Sequence, residues 1–137
     1  MKVKEERKLK KELEKEAMEL WKRACALKWG TRCEVTGKPA STFHHFIYRS
    51  RSKAMTYDVM NGVPVSAEVH NIIHFSRYDD KRYEVLNKII QHRGQEWFNY
   101  IKAKRNEPPP AGVGSIAWLQ DQIKKLKEFI NQYEKNN

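Results

Sequence analysis

No apolar run in this chain approaches the roughly 20 residues that a membrane-spanning helix needs, so the 137-residue sequence is not expected to cross a bilayer. Cysteine is almost missing. Cys25 and Cys33 are the only two, too few for the disulfide framework of a small secreted domain. Met1 to Lys11 holds no apolar segment that reads as a secretory signal, and the expected location is the cytoplasm. Acidic residues are in the minority, with 17 Asp and Glu against 27 Lys and Arg and a net charge of +10. Between Lys38 and Lys53 acids are absent altogether, while Lys38, Arg49, Arg51 and Lys53 all fall there. An excess of this size, with one block free of acids, points to an anionic partner.

The apolar periodicity predicts an α+β chain that is mostly helical. Leu9, Leu13, Ala17, Leu20, Ala24 and Leu27 recur at three- and four-residue steps, predicting a helix over 3–28. Its dense charges of both signs read as a solvated face rather than a dedicated DNA-binding arm. Thr42 to Ile47 is β-branched and aromatic and predicts a short strand. Residues 48–60 read as a loop, and Asn61-Gly62 as a turn into a second strand, Val63-Pro64-Val65, that Pro64 confines to an edge. Ser66 is placed to cap a helix carrying Val69, Ile72 and Ile73. Asp79 or Asp80 is placed to cap the next helix, and a further helix spans about 95–104.

The triplet Pro108-Pro109-Pro110, followed by Gly112 and Gly114, predicts a semi-rigid linker over 108–114. After it, Ser115 opens a helix whose apolar residues Ile116, Leu119, Ile123, Leu126, Ile130 and Tyr133 form a heptad seam. The expected organisation is therefore an amphipathic helix over 1–29, a core over 30–107, the linker, and an amphipathic helix over 115–137. Packing of the two terminal helices on each other is the expected use of the seam, which also leaves a homodimer through them open.

Histidine carries the chemical signal. Four of the five fall close together: His44, His45, His70 and His74. His70 and His74 lie one turn apart on one face of a predicted helix, a spacing that can grip a divalent metal. His44 and His45 are neighbours on a predicted strand and point to opposite faces unless a bulge or strand end relaxes the alternation. A histidine pair alone is weak; an ordered set inside a strand–loop–strand–helix pattern is far harder to reach by chance. His92 sits near a helix end and is given no role.

Thr42-Phe43-His44-His45-Phe46-Ile47, Asn61-Gly62-Val63-Pro64-Val65 and Val69-His70-Asn71-Ile72-Ile73-His74 together resemble the HNH, or ββα-metal, nuclease motif, over about residues 33–75. A longer set is similar to phage recombination nucleases of the NinG/Rap type. It comprises Cys33 and Gly37, Tyr48-Arg49-Ser50-Arg51-Ser52, Tyr57-Asp58, Tyr83 and Arg93-Gly94. The resemblance implies a small ββα-metal core between long flanking helices and, for a phage protein, residence in the host cytoplasm. It implies a DNA endonuclease acting on double-stranded or branched DNA. His44, His70 and His74 would ligate one divalent ion, whether magnesium, manganese, zinc, nickel or cobalt. His45 would be the general base, with Asn61 orienting its imidazole through the side-chain amide and helping to fix the loop. Arg49, with Lys38, Arg51 and Lys53, would contact DNA, Arg49 clamping a nonbridging phosphate oxygen. The four-cysteine zinc ribbon common in such proteins cannot form, because Thr36, Ser66 and Val69 stand where its other cysteines belong. The alternative readings are a non-cleaving DNA-binding recombination accessory protein that retains the fold, and a structural metalloprotein.

Overall fold

The computed structural model describes residues 2–136. Five helices, α1 (Val3–Trp29), α2 (Ala67–Phe75), α3 (Asp79–Arg93), α4 (Gln95–Asn106) and α5 (Ile116–Asn136), surround one antiparallel sheet of two strands, β1 (Thr42–His45) and β2 (Gly62–Val65). The chain is α+β and mostly helical. None of the helices is long and apolar enough to cross a membrane.

The sheet register sets His44 opposite Val63 and His45 opposite Gly62. Pro64, which has no N–H to donate, faces Phe43, and its carbonyl accepts from the Glu34 N–H at 3.0 Å. The connection between the strands is more ordered than a loop. It holds two short 3-10 turns, Lys53–Met55 and Val59–Asn61, the second begun by Asp58, whose side chain accepts from the Met60 N–H. Asn61 is fully buried and staples this connection. Its Oδ1 accepts from the Ile47 N–H at 2.7 Å, and its Nδ2 donates to the carbonyls of Ile47 and Met55 at 3.0 and 3.2 Å.

Ser66 caps α2 as its position predicts, accepting from the Val69 N–H at 3.3 Å. For α3 the structure differs from expectation. Tyr78 is the capping residue and makes no side-chain cap, while Asp79 and Asp80 lie inside the first turn. There their charge still favours the positive end of the helix dipole. Ser115 caps α5 through the Trp118 N–H at 3.1 Å.

Two apolar clusters hold the molecule together. One joins the sheet to α2, α3 and α4 through Val63, Val65, Ile73, Ile89, Trp97 and Ile101. The other joins α1 to α5, with Leu119, Ile123, Leu126 and Ile130 of the heptad seam against Ala17, Trp21, Ala24 and Cys25. Glu16 pairs with Lys127 and Arg23 with Glu134, advancing seven residues on both helices, so α1 and α5 run in the same direction. Truncating a buried seam residue such as Ile123 to Ala is expected to cost about 2–5 kcal/mol. Strand β2 reaches α1 at Gly62, where an added Cβ would collide with the Cys25 sulfur and press on Trp21. That absent side chain lets α1 lie directly under the sheet.

Arg93 locks the same region. Its guanidinium lies 3.5 Å from the Trp29 ring centroid, pairs with the buried Glu34 and donates to the carbonyls of Met60 and Gly62. Cys33, Thr36 and Ser66 meet in space although no four-thiolate site is possible. Burial raises the Cys33 pKa, but the hydrogen bonds that its sulfur receives from the Thr36 side chain and from the Ser66, Thr36 and Val35 backbone outweigh this and lower it.

Candidate metal centre

The alternation of β1 sends His44 and His45 to opposite sides. His44 turns toward α2, where the one-turn spacing of His70 and His74 presents both rings. The ring centroids lie 5.1 Å apart for His44–His74, 5.7 Å for His44–His70 and 4.5 Å for His70–His74. One ring nitrogen from each residue lies within 4.8 Å of the other two, and among the described residues this is the only group of three or more candidate ligands placed so. His44 is 2% exposed and its Nε2 is buried without a hydrogen-bond partner. An orphaned imidazole nitrogen is costly unless something binds it. A divalent ion at the centre of the three rings would satisfy it.

The rings are electrostatically prepared for a cation. Burial, followed by the neighbouring His74, His70 and His45, pushes the His44 pKa down to about 3. Burial and His74 also lower that of His70. Both rings are thus neutral at pH 7, with lone pairs available, the state that metal binding requires. Tyr48, 40% exposed, stacks on His74 at 5.2 Å and meets His44 edge-on at 5.7 Å, fixing the rings from the solvent side.

His45 lies on the other side of β1 but reaches the same cleft, of about 370 Å³, which His44, His70, His74, Lys22 and Arg49 also line. Its ring stacks on Trp21 of α1 at 4.1 Å with planes 9° apart. Its Nε2 stands 2.9 Å from the Thr56 carbonyl oxygen. A carbonyl can only accept, so Nε2 carries the proton and Nδ1 keeps a free lone pair. Burial pulls the His45 pKa down to about 4; the Thr56 carbonyl opposes this, and Arg49 and Lys22 add to it.

Asn61 does not orient His45 as the HNH resemblance implies. The side-chain hydrogen bonds of Asn61 go instead to Ile47 and Met55, and the Thr56 carbonyl holds the ring. Asn61 fixes the connection that carries Thr56. Of the four basic residues singled out, only Arg49 lines the cleft. Lys38 lies 4.0 Å from Glu68, and Lys53 lies against Gly114. Arg51 is exposed in the connection.

Lys22 and Trp21 line the cleft without any signal in the sequence. Both sit on a helix that reads as a solvated flank, and no local signal announces that its middle packs against a strand about twenty residues away. His92 is bonded to Glu34 at 3.2 Å, far from the cleft in role. A larger cleft of about 660 Å³ between α5, the proline triplet and the end of α4 is lined by no histidine or cysteine.

Compared with protein-family profiles, curated protein sequences and solved structures, the chain gives no match.

Proposed function

We propose that this protein is a metal-dependent DNA endonuclease of the HNH class that hydrolyses phosphodiester bonds with one divalent ion and a histidine general base. The observation that carries the reading is the cleft itself. Three imidazoles converge beside a fourth whose tautomer leaves Nδ1 free. A purely structural metal site has no need of that fourth ring or of two cations at its rim.

His44, His70 and His74 would hold the ion, magnesium, manganese, zinc, nickel or cobalt, with imidazole ligands favouring the later metals. When bound, such an ion supplies Lewis-acid polarisation of the phosphoryl group and stabilisation of the leaving oxygen. The remaining work belongs to the chain. His45 takes a proton from the attacking water at Nδ1, while the Thr56 carbonyl stabilises the imidazolium through Nε2–H. Trp21 holds the ring plane. Arg49 and Lys22 meet the phosphate charge at the cleft wall, Arg49 with a planar fork suited to two phosphate oxygens. A bound phosphate offsets these cations and thereby lifts the His45 pKa toward the neutral range where a base works best. Branched or recombination-intermediate DNA is the substrate class we favour, on the NinG/Rap-type resemblance.

The test is cleavage of supercoiled plasmid and of a four-way junction across a panel of divalent metals. Metal-dependent nicking supports the reading, and no cleavage of either DNA with any metal refutes it.

A further inference from the structure

Helix α1 carries charge of both signs, yet five of its seven lysines fall on one face, Lys10 and Lys28 lying outside it. At 3.6 residues per turn, Lys4, Lys8, Lys11, Lys15 and Lys22 fall with Met18 inside one stripe about 80° wide. No acidic residue between positions 4 and 22 shares that stripe. All five lysines are exposed. Among the described residues none of them takes part in an ion pair, whereas Glu16 and Arg23, on another face of the helix, are tied to α5. Lys4–Lys8, Lys8–Lys11 and Lys11–Lys15 stand at the three- and four-residue spacings where like charges weaken a helix. Glu12 and Glu19, one turn on from Lys8 and Lys15, offset part of that cost.

The stripe also has a direction. Its last two members, Met18 and Lys22, line the histidine cleft. From Lys22 back to Lys4 it runs about 27 Å along the helix, the length of about 8 base pairs. The apolar face of α1 is spent on α5 and the sheet, so the stripe has no adjoining greasy surface with which to enter a lipid bilayer.

We propose that this lysine stripe is a backbone-binding track, along which duplex DNA leaving the histidine cleft lays its phosphates against Lys15, Lys11, Lys8 and Lys4. The inference rests on the nuclease reading for what enters the cleft, but its test does not depend on cleavage. Phosphate neutralisation is read from the salt dependence of binding, at about 0.9 in the slope of log K against log salt per phosphate contact.

The experiment measures anisotropy of a fluorescein-labelled duplex with full-length, metal-loaded protein carrying His45→Ala, between about 50 and 200 mM salt. The variant K4Q/K8Q/K11Q/K15Q is expected to lower the slope by about 3.6. The control K88Q/K102Q/K124Q/K135Q removes the same charge elsewhere and is expected to lower it by less than about 1. Lysine-to-arginine replacement at the four stripe positions is expected to keep the parental slope. Equal slope changes in the two glutamine variants, or none in the stripe variant, would overturn the proposal, as would tighter binding to anionic phospholipid vesicles than to duplex. Circular dichroism and metal content check folding. If the quadruple variant loses helix, K4Q/K8Q decides, with an expected loss of about 1.8. Plasmid nicking by the wild-type chain is read separately. Slope loss without nicking refutes the nuclease reading and leaves the track standing; nicking without slope loss does the reverse.

Discussion

The imidazole of His45 lies flat on the indole of Trp21, ring centroids 4.1 Å apart and planes 9° from parallel. Trp21 is itself anchored: it is fully buried, and its Nε1 donates to the Asp58 carbonyl at 2.9 Å. The N-terminal helix therefore reaches into the cleft and sets the plane of the His45 ring. Gly62, opposite His45 in the sheet, leaves the room for it.

Trp21→Phe keeps an aromatic plate under His45, whereas Trp21→Leu does not. We expect the leucine variant to cleave at least about tenfold more slowly than the phenylalanine variant, with unchanged metal content, since a base held out of line loses proximity as well as orientation. Both variants lose the bond to Asp58 and part of the core, so both are expected to be destabilised. Single-turnover rates with parallel metal analysis separate the two effects; equal rates for Phe and Leu would show that the stack does not position the base.

Removing one ligand tests the metal centre. His70→Ala and His74→Ala are each expected to reduce bound divalent metal well below one ion per chain and to weaken its affinity at least about tenfold, the least that loss of even an outer partner of a ligand typically costs. Titration calorimetry with manganese or zinc measures this directly. Wild-type stoichiometry and affinity in both variants would rule out the three-histidine site.

Stability should depend on pH through His44. Its folded pKa, about 3, lies below the ordinary value of 6.5. The unfolded chain then binds the extra proton between these values, so the associated stability is fully present above about pH 6.5 and is lost as pH falls toward 3. The slope contributed by one such group is up to about 1.4 kcal/mol per pH unit. Thermal denaturation of the metal-free protein is expected to show a melting temperature that drops through this window. His44→Phe is expected to lessen the drop, of which His45, held down at about 4, keeps a part, and an unchanged profile in that variant would contradict the assignment.

The pattern of elements was legible in the sequence because it rests on local rules: helical periodicity, a serine before each of α2 and α5, a β-branched run before Asn-Gly. The one-turn spacing of His70 and His74 likewise shows in the chain directly. What local rules cannot show is which partner a buried polar group finds. Asn61 has the right residue type to orient a histidine, yet the folded connection from Ile47 to Met55 offers three backbone partners, and the amide goes there. The Thr56 carbonyl that holds His45 is a backbone atom and leaves no trace in residue identity. Lys22 and Trp21 become part of the cleft only through packing of α1 under β2, a contact made by the missing side chain of Gly62.

The role of His45 is tested by the cleavage rate of His45→Ala relative to wild type, at equal metal occupancy and on the same supercoiled plasmid. General-base catalysis of this kind contributes about 10²–10⁴-fold. The variant is expected to bind one divalent ion per chain, to bind DNA as wild type does, and to nick at least about a hundredfold more slowly. Wild-type nicking by a fully metallated His45→Ala chain would contradict it.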